Sequence, residues 1–144
     1  MFPVDSKILI VDDSNFTRSV LKESLRHMKY WKILEAADAR IAQQVLQEEE
    51  QVKDPVHLII SDVNMPHMTG LEFLRWLRAQ EDFKSIPVIM LTTMQEKGSI
   101  LEAARLGVSH YMIKPFDIST LRERMQTAWD KHGQTYVAEK KQPT

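Results

Sequence analysis

The sequence places acidic, hydroxyl and ammonium side chains directly after short apolar runs. These side chains belong to Asp12, Asp13, Asp62, Thr92 and Lys114. Carboxylates brought together repel one another unless a cation compensates them, and oxygen ligands without Cys or His suit a hard ion such as Mg²⁺. A carboxylate nucleophile, Mg²⁺, an ammonium and a hydroxyl together suit phosphoryl transfer. Each residue alone is more typical of a helix cap or a turn, whereas the joint pattern favours a phosphoryl-transfer site.

Short apolar runs alternate with amphipathic helical patterns along the whole chain. The predicted strands are Ile8–Val11, Trp31–Glu35, Val56–Ser61, Val88–Leu91 and Tyr111–Ile113. Right-handed crossovers place such strands in one parallel sheet with helices on both faces. We therefore predict an α/β fold of the flavodoxin-like type, a doubly wound five-stranded parallel sheet in the order 2-1-3-4-5 with five helices. This order brings the polar ends of strands one, three, four and five into one cleft, whereas edge strand two ends in Glu35-Ala36-Ala37 and delivers little beyond ordinary loop chemistry.

The helices are predicted from cap residues and from apolar spacing. The candidate caps are Asp38, Thr69 with Glu72, Thr93 with Glu96, and Asp117. Apolar spacing places Phe16 of the first helix and Ile41 of the second in the core. Gly133 is predicted to end the fifth helix. The predicted domain spans residues 1–132, and residues 133–144 are predicted to form a polar, flexible tail with too little apolar content to fold alone.

The composition indicates one globular domain with a substantial core. The 144 residues are 43% hydrophobic and 27% charged, with a net charge of −1. That balance argues against general nucleic-acid binding. The lack of cysteine excludes a disulfide framework and any thiolate metal site. The first residues do not resemble a signal peptide and no apolar run approaches membrane-spanning length, so we predict a cytoplasmic protein without membrane contact.

Several short motifs resemble those of a known family. They are Ile10–Ser14, Ile60–Pro66, Gly70, Met90–Thr92 and Lys114–Phe116. Together they strongly resemble the receiver domain of two-component response regulators, over about residues 7 to 131. They are also similar to the stand-alone chemotaxis receivers of the CheY type. The resemblance implies a CheY-like fold and a function in two-component signal transduction.

The resemblance implies a role for each acidic residue at the strand ends. Asp62 would accept a phosphoryl group from a phosphohistidine on a sensor histidine kinase or a phosphotransfer protein. Asp13, Asp62 and the backbone carbonyl of Asn64 would ligate Mg²⁺, and Asp12 would act through a metal-bound water. Lys114 would pair with Asp62 and then with the phosphoryl oxygens.

The resemblance also implies a switch and a control of phosphoryl lifetime. Thr92 would move to hydrogen-bond the phosphoryl group, and Tyr111 would turn inward behind it. The β-branched Thr93 stands where the family usually has a small residue. With Asn64 and Met94, it would tune how long the phosphoryl group survives; an equally weighted alternative is that Met94 is an ordinary exposed loop residue.

Output is expected through the surface of the fourth helix, the fifth strand and the fifth helix. Its predicted residues are Lys97, Ile100, Ala104, Tyr111, Met112 and Arg124. A downstream target protein would bind there, whereas an ordinary mixed surface is the competing interpretation. No direct contact with nucleic acid is expected. The chain is predicted to be a phosphoacceptor with its own phosphorylation and dephosphorylation chemistry, rather than an enzyme.

Two alternatives remain at the level of the sequence. The chain could be a receiver excised from a longer regulator. A phosphohydrolase of the haloacid dehalogenase type also uses an Asp nucleophile, Thr, Lys and Mg²⁺. That type has a second Asp two places after the nucleophile as a general acid, and Asn64 occupies that place here. An amide cannot donate a proton in this way, so the phosphohydrolase is disfavoured.

Overall fold

The computed structural model describes residues 1–93 and 98–141. The strands are β1 (Lys7–Val11), β2 (Lys32–Ala36), β3 (Leu58–Asp62), β4 (Val88–Thr92) and β5 (His110–Ile113). The helices are α1 (Asn15–His27), α2 (Ala39–Gln51), α3 (Gly70–Ala79), α4 (Gly98–Arg105), α5 (Ile118–Ala128) and α6 (Gln134–Lys141), with a π-helical turn at Trp129–Gly133. The five strands form one parallel sheet in the order β2-β1-β3-β4-β5, which confirms the predicted fold.

The sheet is buried on both faces, and every residue of β1, β3 and β4 has almost no exposed surface. One face packs against a core that includes Leu74 and Leu77 of α3, and the other against Leu121 and Met125 of α5. Parallel strands covered in this way read as continuous apolar runs, which is why the sequence pattern identified them. The strand backbones are thereby held rigidly up to their carboxyl ends.

Polar caps fix where the helices begin. The side chains of Asp38 and Asp117 accept hydrogen bonds from backbone N–H groups in the first turns of α2 and α5, as predicted. Thr69 and Glu72 form the predicted capping box of α3. Ser14 caps α1, which leaves the preceding acidic pair free for other chemistry. The proposed capping box of Thr93 with Glu96 lies partly outside the described residues.

Two predicted core residues are exposed. Phe16 has 78% of its surface accessible because it lies in the first turn of α1, beyond the carboxyl end of β1, where no strand lies beneath it. Ile41 is 43% exposed because α2 packs against the sheet through Ala39, Ala42 and Leu46 instead. Small side chains let α2 approach the sheet closely, and this moves Ile41 to the flank of the helix.

The prediction of a flexible tail from residue 133 is wrong for residues 133–141. The chain continues from α5 through the π-helical turn into α6, which buries Tyr136 and Val137. Gly133 is the last residue of the π-helical turn, but the chain stays helical because α6 begins at the next residue. A Cβ atom at Gly133 would lie 2.7 Å from Cζ of Phe2, so the residue allows the Phe2 ring to pack closely. The last residues, 142–144, lie outside the described part of the chain.

Helix α6 covers the amino ends of the strands, opposite the acidic cluster. The Tyr136 hydroxyl donates a hydrogen bond to the carbonyl of Asp82, which lies between α3 and β4. The Lys140 ammonium lies 2.6 Å from a carboxylate oxygen of Glu50 near the end of α2. These contacts connect three segments that meet below the sheet, so α6 is part of the folded domain.

Truncation of Tyr136 tests whether α6 contributes to stability. Tyr136 is 2% exposed and packs in the larger core cluster. Loss of a buried aromatic side chain should lower the free energy of unfolding by about 3 kcal/mol in Tyr136→Ala. Urea denaturation measures this change. Thr135→Ala, an exposed position in the same helix, is the control and should leave stability almost unchanged; equal effects of the two substitutions would contradict a packed α6.

Candidate phosphoryl-transfer site

The acidic residues of β1 and β3 meet at the carboxyl edge of the sheet because their strands are direct neighbours. Carboxylate oxygens of Asp12, Asp13 and Asp62 all lie within 4.8 Å of one another. Asp12 and Asp62 are buried, whereas Asp13 is exposed. The predicted cluster is therefore present, with one carboxylate open to solvent.

Lys114 brings one positive charge to this cluster. Its ammonium lies 2.9 Å from Oδ2 of Asp12 and 3.3 Å from Oδ1 of Asp62. The backbone N–H of Lys114 donates to the carbonyl of Thr92, and the peptide bond to Pro115 is cis. A single ammonium therefore pairs with two buried carboxylates.

The electrostatic balance of the cluster is negative. Burial, reinforced by the neighbouring Asp12 carboxylate, raises the pKa of Asp62 from 3.8 to about 6. Lys114 and the backbone N–H of Asn64 act in the opposite direction but do not cancel the increase. Burial lowers the pKa of Lys114, but its hydrogen bond to Asp12 and the attraction of both acids outweigh this, so its pKa is raised. Lys114 is therefore a permanent cation at neutral pH, whereas Asp62 holds its charge at a free-energy penalty.

Asp12 is fixed by hydrogen bonds to its backbone and its side chain. Its N–H donates to the carbonyl of Ala36 on β2 at 3.1 Å, and its Oδ1 accepts from the N–H of Ser14 at 2.9 Å. Arg18 of α1 donates from Nη1 to the Asp12 carbonyl at 2.6 Å. Asp12 therefore cannot turn away from the other carboxylates.

The loop after Asp62 is held against the start of α3. The N–H of Val63 donates to the carbonyl of Leu91, and the N–H of Gly70 donates to the carbonyl of Val63 at 2.7 Å. A Cβ atom at Gly70 would lie 2.1 Å from the carbonyl oxygen of Asp62, so only glycine allows α3 to begin so close to this strand end. Asn64 is exposed beside the cluster, and its N–H is the one that donates to the Asp62 carboxylate.

The donor set fits a magnesium ion. The clustered side chains offer only carboxylate oxygens, which hard cations prefer. Three carboxylates lie in the described cluster beside the ammonium of Lys114, so this ammonium alone does not balance their negative charge. Asp13 and Asp62 of this cluster are residues that would hold a divalent cation such as Mg²⁺, and the ion would supply the missing positive charge.

Comparisons with known proteins identify the family of this chain. The family model of the response regulator receiver domain matches residues 8–126. The chain belongs to this family. It is 36% identical over 120 residues to a chemotaxis protein CheY homologue of Campylobacter jejuni, an alignment that covers 83% of this chain and 89% of the relative. It is 37% identical to the chemotaxis protein CheY1 of Helicobacter pylori, which covers 83% of this chain and 94% of that protein.

Solved structures agree with this assignment. The chemotaxis response regulator CheY4 of Vibrio cholerae superposes with a TM-score of 0.76 at 35% identity, over 86% of this receiver and 98% of that chain. The family model ends before the π-helical turn and α6, so the receiver fold is present here with a helix beyond the matched residues. Within the described part of the receiver, no helix is long and apolar enough to cross a membrane.

The residues predicted to form the switch lie on neighbouring strands of the receiver. Thr92 ends β4, is buried, and donates its hydroxyl to the carbonyl of Thr93 at 3.2 Å. Tyr111 of β5 is half-buried and packs edge-to-face against His110, with ring centroids 5.4 Å apart. Met94, the third residue expected to tune phosphoryl lifetime, lies outside the described residues. The positions of Thr92 and Tyr111 agree with the switch interpretation, whose operation stays a prediction.

One of the residues predicted for the partner surface is not at the surface, and partner binding by the others stays a prediction. Ile100 and Tyr111 are half-buried and Ala104 is exposed, and Arg124 donates from Nε to the Tyr111 carbonyl at 3.0 Å. Met112, however, is fully buried between the sheet and α5. Successive strand side chains point to opposite faces, so Met112 cannot share the surface with Tyr111. Lys97 lies outside the described residues.

Two further residues near the site were not found from the sequence. Arg18 contacts the Asp12 backbone, and Glu35, at the end of β2, forms an ion pair with Arg18 at 3.3 Å. The prediction that strand two delivers little beyond ordinary loop chemistry did not include this ion pair. The sequence shows that Arg18 lies one turn into the helix that follows the acidic pair. Only the packing of α1 beside β2 shows that its side chain contacts the Asp12 carbonyl and Glu35.

The raised pKa of Asp62 predicts a pH-dependent stability of the metal-free receiver. Since the folded pKa is the higher one, this group favours the folded state below about pH 4, and that contribution is lost as the pH rises through about 6. At neutral pH the ionised carboxylate should lower the free energy of unfolding by about 2–3 kcal/mol. Asp62→Asn should therefore stabilise the protein at neutral pH in urea unfolding with EDTA.

The comparison of two pH values isolates this effect. The increase in the free energy of unfolding caused by Asp62→Asn should fall near pH 4 to a small fraction of its value at neutral pH, because about half of unfolded Asp side chains are protonated there. The exposed Asp5→Asn variant is the control and should show no such gain. A gain from Asp62→Asn that is the same at both pH values would contradict the electrostatic explanation.

The close approach at Gly70 predicts a local and costly clash. Gly70→Ala should lower the free energy of unfolding by about 1–3 kcal/mol because the Asp62 backbone must shift. Gly98, the first residue of α4, is a matched control because a Cβ atom there meets no other atom within 4 Å. Gly98→Ala should stay within about 1 kcal/mol of the wild type. Urea denaturation of both variants decides, and equal effects would rule out the predicted clash.

Proposed function

We propose that this receiver is a phosphorylation-controlled signalling protein whose phosphoacceptor is Asp62. The observation that supports this most directly is the position of Asp62 beside two other acids and within 3.3 Å of the Lys114 ammonium. Its carboxylate is buried and lies at the end of β3. It faces the Lys114 ammonium, which could pair with a phosphoryl group on Asp62 once that group is attached. The chemotaxis role named for the relatives favours a signalling role of that kind for this chain.

The reaction proposed for Asp62 is a transfer from a phosphohistidine. An Asp62 carboxylate oxygen forms a bond to phosphorus while the phosphorus–nitrogen bond breaks, and the ring nitrogen keeps the bonding electron pair. The product is an acyl phosphate on Asp62. Mg²⁺ held by Asp13, Asp62 and the Asn64 carbonyl would supply positive charge next to the transferred group, with Asp12 contributing through a bound water.

Lys114 and Thr92 are proposed to stabilise the product. The phosphoryl group adds roughly 1.5 to 2 negative charges and three acceptor oxygens. Lys114 already lies between Asp12 and Asp62, so a small movement lets its ammonium reach a phosphoryl oxygen. The Thr92 hydroxyl, bonded at present to the neighbouring carbonyl of Thr93, would instead donate to the phosphoryl group. We propose that Tyr111 on the adjacent strand follows this movement.

The changed surface is proposed to bind a downstream protein. Tyr111, Ile100, Ala104 and Arg124 form the described part of that surface. Because Arg124 donates to the Tyr111 backbone, movement of β5 would be transmitted to α5. The phosphodonor would be a histidine kinase or a phosphotransfer protein. We propose that the receiver promotes only its own phosphorylation and dephosphorylation and is not an enzyme acting on other substrates.

Intact-mass analysis after incubation with acetyl phosphate and Mg²⁺ tests the proposed phosphoacceptor. The wild-type chain should gain the mass of one phosphoryl group, and EDTA should prevent the gain. Asp62→Asn should remove the gain, because an amide is not a nucleophile for phosphorus. The matched control Asp117→Asn, which changes an aspartate at the start of α5, should keep it. A wild-type chain that gains no mass from acetyl phosphate or phosphoramidate would refute the proposed function.

A further inference from the structure

The carbonyl of Asp12 is held by a side chain that the proposed reaction does not use. Nη1 of Arg18 donates to this oxygen at 2.6 Å. The oxygen belongs to the peptide unit that joins Asp12 to Asp13. A peptide unit is planar, so its carbonyl cannot rotate without moving the N–H and Cα of the following residue. Arg18 therefore fixes the backbone from which the Asp13 side chain projects.

Arg18 is itself held in place by the neighbouring strand. Its Nε lies 3.3 Å from Oε1 of Glu35, and its Nη2 donates to the amide oxygen of Asn15. Lys22 binds the other Glu35 oxygen at 2.5 Å. The hydrogen bond from Lys22 lowers the pKa of Glu35 despite the opposing effect of burial, and Arg18 lowers it further. Only 14% of the Arg18 side chain is exposed, so its planar fork is directed and does not sample many positions.

Strand β2 therefore holds both peptide units that flank the Cα atom of Asp12. The carbonyl of Ala36 accepts the Asp12 N–H directly, at 3.1 Å. Glu35, the residue before Ala36, holds the Asp12 carbonyl indirectly through Arg18. Both contacts come from the edge strand, which carries none of the clustered acids.

Asp13 is the acid that needs this support. The side chain of Asp12 is fixed by the Ser14 N–H and by Lys114, and that of Asp62 by Lys114 and the Asn64 N–H. Within residues 1–93 and 98–141, the Asp13 carboxylate forms no hydrogen bond or ion pair, and Asp13 is exposed. Among the described contacts, the position from which this carboxylate projects is therefore fixed only through the Asp12–Asp13 peptide unit.

We infer that Arg18, anchored on Glu35, is a positioning residue that orients Asp13 for Mg²⁺ binding. This inference rests on the proposed function, in which Asp13 is a metal ligand. Arg18 does not touch the metal or the reacting atoms. It acts by fixing the Asp12–Asp13 peptide plane, in the way that outer groups orient the ligands of metal sites.

Charge and positioning predict opposite effects when Arg18 is replaced. Its guanidinium repels a divalent cation, so removal of the charge alone would strengthen Mg²⁺ binding. Loss of positioning would weaken it. Lys22 provides a matched control because it carries the same charge and binds the same Glu35 carboxylate, whereas its ammonium is bonded to Glu35 and not to the Asp12 peptide. The difference between Arg18→Gln and Lys22→Gln therefore isolates the contact with Asp12.

Calorimetric titration of the full, unphosphorylated chain with Mg²⁺ tests the inference. Arg18→Gln should raise the Mg²⁺ dissociation constant by roughly 10-fold, as is typical for loss of a group that orients a metal ligand. Lys22→Gln should bind Mg²⁺ as tightly as the wild type or more tightly. An Arg18→Gln variant that matches Lys22→Gln would overturn the inference, and so would one that binds more tightly than the wild type.

Urea unfolding in EDTA separates positioning from simple loss of structure. Both variants should remain folded in the absence of urea, so their Mg²⁺ affinities are compared between folded proteins. A weaker Mg²⁺ affinity of Arg18→Gln that merely followed a loss of folded protein would also overturn the inference. If the wild type binds Mg²⁺ and gains a phosphoryl group while the two variants agree, only the role of Arg18 fails. If the wild type does neither, the proposed function fails with it.

Discussion

The ammonium of Lys114 between the carboxylates of Asp12 and Asp62 is the interaction on which the site depends. Among the described residues, this ammonium lies beside three clustered acids, so the cluster carries more negative charge than the ammonium balances. Burial, reinforced by the Asp12 carboxylate, raises the pKa of Asp62 in the same direction. An excess of this kind disfavours the folded protein and favours any added cation. The arrangement is therefore suited to binding a metal ion and poorly suited to stabilising the fold.

The rest of the carboxyl edge can be understood as the structure required to hold these acids together. Strand pairing fixes β1 beside β3, and the absence of a side chain at Gly70 lets α3 begin directly above the Asp62 backbone. Edge strand β2 adds no acid to the cluster but fixes the Asp12 backbone, its N–H through the Ala36 carbonyl and its carbonyl through Glu35 and Arg18. Repelling groups keep their positions only where backbone and side-chain contacts leave no alternative conformation.

Strands and helices could be predicted from the sequence because their apolar patterns recur along the chain. Contacts between individual residues that are distant in the chain could not be predicted in this way. Apolar runs and caps identified the strands, their order and the residues that meet at the carboxyl edge, because each strand end carries its own local signal. Met112 was assigned to the wrong face because a four-residue strand gives little alternation to read. Gly133 was taken for a helix stop because its packing against Phe2 is a contact between distant parts of the chain. Arg18 and Glu35 were missed for the same reason.

The two ends of the sheet differ in how they contribute to stability. At the amino ends, α6 adds the buried Tyr136 and Val137, and the π-helical turn holds the connection before β5: Lys131 donates to the Val108 carbonyl at 3.3 Å, and His132 lies 2.7 Å from the Ser109 hydroxyl. These contacts fix the start of β5, whereas its far end leads to Lys114 and the acidic cluster. A strand held firmly at one end and coupled to a charge imbalance at the other can respond to a new charge without unfolding. Burial at the amino ends thus offsets the electrostatic penalty that the carboxyl edge requires for its chemistry.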